Sequence, residues 1–260
     1  MKVLFIGDIV GRPGREGLAA ALPGIRERHS PDLVVANGEN SAGGVGVTER
    51  TAQEIFAAGV DTITLGNHAY RHRQVYEYLD RNDRIVRPAN FRAGSPGQGW
   101  TVVDAAGSRV AIVNLQGAVH LNVARSPFDE ADAILERVAG DADAVIVDFH
   151  AEVTSEKVAM GWHLDGRVAA VLGTHTHVPT ADGRVLPGGT AYISDVGMTG
   201  SRAGVIGVRR EQALERFITQ LPVQFETAED DVWVMAALVD VRSDGLAESI
   251  SQLLEPVPSS

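Results

Sequence analysis

Val3-Leu4-Phe5-Ile6-Gly7-Asp8, Leu33-Val34-Val35-Ala36-Asn37-Gly38-Glu39-Asn40 and Thr62-Ile63-Thr64-Leu65-Gly66-Asn67-His68 share one pattern: a short apolar run that ends in glycine and polar residues. Two later stretches resemble them. Ala144-Val145-Ile146-Val147 runs into Asp148-Phe149-His150, and Val171-Leu172 runs into Gly173-Thr174-His175-Thr176-His177. Near-continuous apolar runs rich in β-branched residues suit strands covered on both faces. Between them lie helix-like stretches. One is amphipathic from Arg15 to Arg28, one follows Thr48, one surrounds His72–Leu79 and one covers Asp129–Val138. The Thr48 hydroxyl can accept an early backbone N–H and so cap its helix. Alternation of this kind predicts an α/β fold.

Further strands are expected at Val110–Val113, after a Pro/Gly-rich loop near Pro88–Gly99, and at Val168–Leu172. The last third is richer in strand-like segments, at Thr190–Ser194, Pro222–Glu226 and Val232–Val239. That shift predicts a second sheet packed on the first. No linker, internal repeat or low-complexity tract divides the chain, so residues 1–260 are expected to form a single domain.

The 260 residues carry 34 acidic and 23 basic side chains, a formal charge of −11, and no cysteine. Disulfides, thiolate-bound zinc, iron–sulfur clusters and thiol nucleophiles are therefore excluded, and any metal must sit among nitrogen and oxygen ligands. The acidic balance argues against nonspecific binding to duplex nucleic acid, which needs basic patches. It does not oppose a small phosphate ester, because bound cations can reverse a site's local charge. Asp8, Arg12 and Arg15 interrupt the first apolar stretch before it reaches the length of a secretory signal, and Val232–Val239 is too short to span a bilayer. The expectation is a soluble cytoplasmic protein without a membrane partner; homo-oligomerisation is left open.

In open α/β sheets, ligands bind beyond the carboxyl ends of the strands. If these strands run parallel, Asp8, Glu39, Asn40, Asn67, His150, His175 and His177 converge on one rim. Two carboxylates, two amides and three imidazoles are too many for one four-coordinate ion and suit two, with one carboxylate shared. In an extended segment His175 and His177 would face the same way, about 6–7 Å apart. Each could then serve one of two ions spaced roughly 3.5–4 Å apart. Taken singly, each residue has a plainer role. Asp8 could cap the following helix, Asn37 or Asn40 could stabilise a turn, and a lone His-x-His commonly just faces solvent. Their joint occurrence at successive strand ends favours the metal centre. His29 and His72 read as solvated, His120 and His163 as surface residues with a pocket wall as the alternative, and Met160, Trp162 and Trp233 as core or wall. Gly7, Gly11 and Gly14 have the wrong spacing for a dinucleotide fingerprint, and neither a P-loop nor a Gly-x-Ser-x-Gly elbow occurs.

At these residues the sequence resembles the calcineurin-like metallophosphoesterase superfamily. The motifs read Asp8-Ile9-Val10, Gly38-Glu39-Asn40, Gly66-Asn67-His68-Ala69, His150 and Gly173-Thr174-His175-Thr176-His177. Val10 stands where a histidine is usual, Glu39 where an aspartate is, and Ala69 where an acidic residue is. Those departures, with Gly7–Gly14, Asn37–Asn40, Asp148–Lys157 and Asp195–Gly200, are similar to the YmdB-like branch. The resemblance covers nearly the whole chain. It implies a four-layered α/β/β/α sandwich of two mixed sheets flanked by helices, and phosphodiesterase activity on 2′,3′-cyclic nucleotides.

The resemblance also implies a ligand set. Asp8, Asn40 and His177 would hold one ion and Asn67, His150 and His175 the other. Glu39 would bridge the two, and Asn40 would replace the histidine missing at position 10. A metal-bridging hydroxide would be the nucleophile and His68 the general acid. Iron or manganese is the implied metal, with zinc or cobalt admissible by ligand chemistry. Asp148, Glu152, Asp182 and Asp195 are candidates to orient the imidazoles. Two other readings keep the same site. One is a phosphomonoesterase or nucleotidase using Arg12, Arg71 or Arg202; the other is a metal-loaded nucleotide-binding regulator with slow turnover.

Overall fold

The computed structural model describes residues 1–258. Fourteen strands run in the order β1 (Lys2–Ile6), β2 (Asp8–Ile9), β3 (Leu33–Asn37), β4 (Thr62–Thr64), β5 (Ile85–Val86), β6 (Trp100–Ala105), β7 (Ser108–Gln116), β8 (Ala144–His150), β9 (Ala170–Thr174), β10 (Arg184–Val185), β11 (Ala191–Ile193), β12 (Met198–Ser201), β13 (Val232–Val241) and β14 (Ala247–Pro256). Six α-helices intervene: α1 (Gly11–His29), α2 (Glu49–Ala57), α3 (Tyr76–Arg81), α4 (Pro127–Val138), α5 (Thr154–Leu164) and α6 (Arg210–Thr219). The first sheet is ordered β2-β12-β13-β1-β3-β4-β5, with β14 also paired to β13, and the second is β10-β11-β9-β8-β7-β6. Both are mixed. β1, β3, β4 and β5 are parallel, as are β7, β8, β9 and β11, while β13 returns antiparallel to β1.

Alternation along each strand separates three apolar layers. Leu4 and Ile6 of β1 join Val34, Ala36 and Ile63 against Leu18, Leu22 and Ile25 of α1 and Ile55 of α2. The opposite faces, with Val3, Phe5, Val35 and Val239, pack on Ile112, Ile146, Leu172 and Ile193 of the second sheet. That sheet's outer face, Val113, Val147 and Val171, is covered by Ile134 and Val138 of α4 and Met160 and Leu164 of α5. The expected α/β/β/α sandwich is the observed one. No helix among the described residues is long and apolar enough to cross a membrane.

The origin of the second sheet differs from the expectation. It is built by the middle of the chain, β6 to β11, and the C-terminal β12–β14 rejoin the first sheet. An apolar strand reads alike whichever sheet receives it, so composition could not assign β13. Pro222–Glu226 is not a strand, and α6 lies before it. Thr48 does cap α2, its hydroxyl accepting the Thr51 N–H. Asp8 caps nothing: Val10 stands at the N-cap of α1 without a side-chain bond. The β6–β7 hairpin turns through Ala106 and Gly107, both at positive φ as a tight two-residue turn requires.

Candidate metal centre

The parallel runs of both sheets end at a common edge, and each sheet contributes to it. Asp8, the Glu39-Asn40 loop and the Asn67-His68 turn come from the first sheet; His150 and the His175–His177 loop come from the second. The rim is thus a seam between two sheets rather than the edge of one. Glycine lets the parts approach: a Cβ on Gly66 would collide with the His150 ring and with Glu39 Oε2.

Four of the candidates meet around His150 Nε2. It lies 2.9 Å from Glu39 Oε1, 3.0 Å from Asn67 Oδ1 and 3.0 Å from His175 Nδ1. Glu39, His150 and His175 form a group able to hold one ion. Asp8 Oδ1 lies 3.8 Å from His150 Nδ1 and 4.0 Å from His177 Nε2. His177 donates Nδ1–H to the Ile206 carbonyl at 2.9 Å, which leaves Nε2 with its lone pair toward Asp8. Asn40 donates Nδ2–H to Gly44 O at 2.9 Å and turns its amide oxygen elsewhere.

Asp8 Oδ1 and Asn40 Oδ1 are both buried and have no hydrogen-bond partner. Stranding a buried oxygen costs about 1–3 kcal/mol, so two such atoms at one rim fit the ligands of a cation. The donor set of hard carboxylate and amide oxygens with imidazole nitrogens suits first-row divalent metals.

Charge in the pocket follows the same geometry. Burial alone would depress His150, but Glu39, Asp8 and Asp148 outweigh it and push its pKa up to about 9. Burial would raise Glu39; the adjacent His150 and the His68 backbone N–H overcome it and bring Glu39 down to about 2. Burial, with His150 close by, lowers His175 to about 3. Asp8 is raised by burial against the pull of His177 and His150, and burial lifts Asp148 to about 6. The opposed charges, outweighing burial, thus favour a protonated His150 against an ionised Glu39, 2.9 Å apart.

The supporting contacts divide the four acids named from sequence. Asp148 accepts from Thr174 Oγ1 at 2.7 Å, and that hydroxyl meets His150 Nδ1 at 2.9 Å, so Asp148 acts on the imidazole through a threonine. Glu152 contacts His175 Nε2 at 3.0 Å. Asp195 touches no imidazole; its Oδ2 accepts the Thr176 N–H and hydroxyl, and Lys157 Nζ at 2.7 Å. Asp182 bonds Ser194 and Thr180 and lies apart from the rim imidazoles. Asn37 has the plain role: its Oδ1 accepts the Glu39 N–H in an Asx turn, and its Nδ2 reaches Asp148 Oδ2 at 3.0 Å.

Two expectations change. His175 and His177 do not lie on an extended segment: β9 ends at Thr174, and both histidines have positive φ, 101° and 66°. They reach the rim through left-handed turns, and the Lys157–Asp195 pair grips the loop between them. Lys157, which closes the Asp148–Lys157 stretch quoted from the sequence but was given no role there, is buried inside α5. Trp162 is half exposed rather than core. His120 is exposed and His163 pairs with Asp132, so neither joins the site.

Above the rim lies a cavity of about 400 Å³ lined by Glu39, Asn40, His68, His175 and His177 on its polar side. Asn67 Nδ2 donates to His68 Nε2 at 3.2 Å, which places the neutral ring's proton on Nδ1.

Residues 4–253 match the family described as YmdB-like protein. The chain belongs to the YmdB-like family. A Bacillus subtilis (strain 168) member named 2′,3′-cyclic-nucleotide 2′-phosphodiesterase is 45% identical over 241 residues, 93% of this chain and 91% of that protein. A crystal structure of a Thermus thermophilus protein superposes with a TM-score of 0.93 at 43% identity, covering 99% of this chain and 100% of the other. A 5′-nucleotidase precursor from the same organism gives 0.60 at 15% identity over 98% of this chain and 54% of its own, a likeness of fold. YmdB-like membership and the α/β/β/α sandwich thus agree with the motifs read at the strand ends.

Proposed function

We propose that this chain hydrolyses 2′,3′-cyclic nucleotides at a two-ion centre held by Asp8, Asn40 and His177 on one side and Asn67, His150 and His175 on the other, with Glu39 shared. The chain is an enzyme of the phosphoric ester hydrolase class, and its likeness to the Bacillus subtilis phosphodiesterase supports the cyclic substrate. The two unpartnered oxygens, Asp8 Oδ1 and Asn40 Oδ1, carry the reading of the site. Nitrogen and oxygen donors without sulfur admit iron or manganese. Ions bound there would supply an acidified water and neutralise charge that develops on the phosphoryl oxygens.

The chain's own groups do the rest. Glu39 meets His150 through Oε1 and accepts the His68 N–H on Oε2, and His150 holds it ionised. Thr174 and Asp148 hold His150 with Nε2 directed at the centre, as the Ile206 carbonyl holds His177. His68 presents Nδ1–H to the leaving alkoxide. To act as the acid the ring must first take a second proton from solvent on Nε2, which opens the Asn67 contact; it then gives the Nδ1 proton to the alkoxide and is left neutral.

The cavity lining contains neither arginine nor lysine. Arg12 pairs with Glu229, and Arg202 stacks on Trp233. Beyond the ions, a terminal phosphate dianion would find no cationic side chain in that lining, which favours a diester over a monoester. The test is hydrolysis of 2′,3′-cAMP, 3′,5′-cAMP and p-nitrophenyl phosphate by freshly purified protein with its metals quantified. Preference for the 2′,3′-cyclic ester, lost in Glu39→Gln, is expected. Preference for the monoester would overturn the substrate, and full activity in Glu39→Gln would overturn the shared ligand.

A further inference from the structure

Two kinds of side chain line the cavity above the rim. Beside the polar residues, which here include Glu226 and Thr227, stand Val10, Val45, Ile206, Val208 and Phe225. Among these, Val45, Ile206 and Phe225 are 38%, 48% and 49% exposed, so they present apolar surface to the cavity's solvent. Large apolar side chains left half exposed in a concave wall beside a catalytic rim are the ordinary lining of a ligand pocket.

Ile206 adds an independent observation. Its φ is 46°, a conformation in which a β-branched residue is a genuine outlier. The turn is pinned on several sides. Ile206 O accepts from His177 Nδ1, Val205 and Val208 exchange backbone bonds at 2.8 and 2.9 Å, and Ala228 N–H reaches Gly207 O at 2.9 Å. Holding His177 needs only the carbonyl, which glycine or asparagine would offer there with less strain. Core burial does not account for isoleucine either, since half its surface is exposed. What isoleucine adds at this position is an apolar face next to a metal-binding histidine. Strain retained at such a place points to function.

We propose that Ile206 and Phe225, with Val45, form the seat of the nucleobase, with Phe225 as the aromatic surface on which the base stacks. This rests on the proposed function and deepens it: the substrate class is a nucleoside 2′,3′-cyclic phosphate, selected through its base as well as its ring ester. Stacking is tolerant of base identity because every base has a π-face. The wall therefore accepts all four bases and grades them by ring area, purine above pyrimidine.

The test is steady-state kinetics of the metal-loaded protein on 2′,3′-cAMP, 2′,3′-cUMP and the base-free cyclic diester propane-1,2-diyl phosphate. Wild type is compared with Phe225→Ala and Phe225→Trp. Loss of one stacked base predicts a KM for 2′,3′-cAMP roughly 5- to 150-fold higher in Phe225→Ala. That rise should exceed any change on the base-free ester, with kcat far less affected. Phe225→Trp should restore KM, and the purine preference should shrink in Phe225→Ala. An equal change on the nucleotide and the base-free ester, or none on either, overturns the base seat alone. Wild type that opens neither cyclic ester overturns the underlying phosphodiesterase reading instead.

Discussion

Replacing Lys157 by methionine tests whether the His175-Thr176-His177 loop is held by a buried charge. The side chain is 2% exposed and its partner Asp195 is 1% exposed. Lys157 Nζ donates to Asp195 Oδ2 at 2.7 Å and to Thr174 O at 2.8 Å. Methionine keeps most of the stem's volume, so the packing loss is small. What remains is a carboxylate stripped of its cation, and breaking a buried pair from one side costs about 3–5 kcal/mol. Asp195 still accepts from the Thr176 N–H and hydroxyl and the Gly197 N–H. Those bonds place the loss near the lower end, about 3 kcal/mol, a large share of the roughly 5–15 kcal/mol that keeps a domain folded. Urea unfolding of the metal-free protein reads it directly. Adding Asp195→Asn removes the unpaired charge and should recover much of the loss. The double variant should still bind metal poorly, because Thr176 keeps a weaker hold between His175 and His177, the two histidines proposed as ligands. A loss below about 1 kcal/mol in Lys157→Met, or a double variant no more stable than the single, would refute the reasoning.

Other outcomes follow from the rim. His68→Ala should lower kcat by roughly 10²–10⁴-fold, the range of general acid catalysis, with metal content unchanged by elemental analysis; metal loss would make His68 a ligand. Gly66→Ala drives a Cβ into His150 and Glu39, and should lower both metal content and stability, the latter by about 1–3 kcal/mol. The His150–Glu39 pair sets a pH dependence. His150, raised from 6.5 to about 9, contributes stability that is complete below 6.5 and lost as pH rises through about 9. Glu39, lowered from 4.5 to about 2, contributes stability that is complete above 4.5 and lost as pH falls through about 2. The metal must displace the His150 proton, so at about pH 7.5 uptake should release a proton and tighten with rising pH. Calorimetric titration in two buffers of different protonation enthalpy checks this, and uptake without proton release would contradict it.

The strand ends were legible because each apolar run gives way to glycine or polar residues, as at Gly66-Asn67-His68 after Leu65, even where the strand itself continues, as β8 does through Asp148-Phe149-His150. Sheet partnership was not legible, because pairing is made by backbone groups that every residue carries. α5 hid for a different reason. Its buried face includes Glu156 and Lys157, which break the apolar stripe and are satisfied by the Ala118 and Val119 N–H groups and by Asp195. α6 buries only Ala213 and leaves Leu214, Phe217 and Ile218 exposed, so its pattern has no core to answer to. Thr174 reads as an ordinary strand residue, and only the fold places its hydroxyl between Asp148 and His150. The turns at His175 and His177 could not be anticipated, since histidine seldom takes positive φ without an imposed geometry.

The Ile206 carbonyl has an evolutionary consequence. Rim residues come from strand ends between Asp8 and His177, whereas most of the apolar wall comes from the later stretch, Ile206 to Thr227. The two meet through one bond to His177, and its acceptor is a backbone atom. Side-chain substitution at position 206 leaves that acceptor in place. A lineage can thus redraw what the cavity admits, one codon at a time, while inheriting the hydrolytic chemistry unaltered.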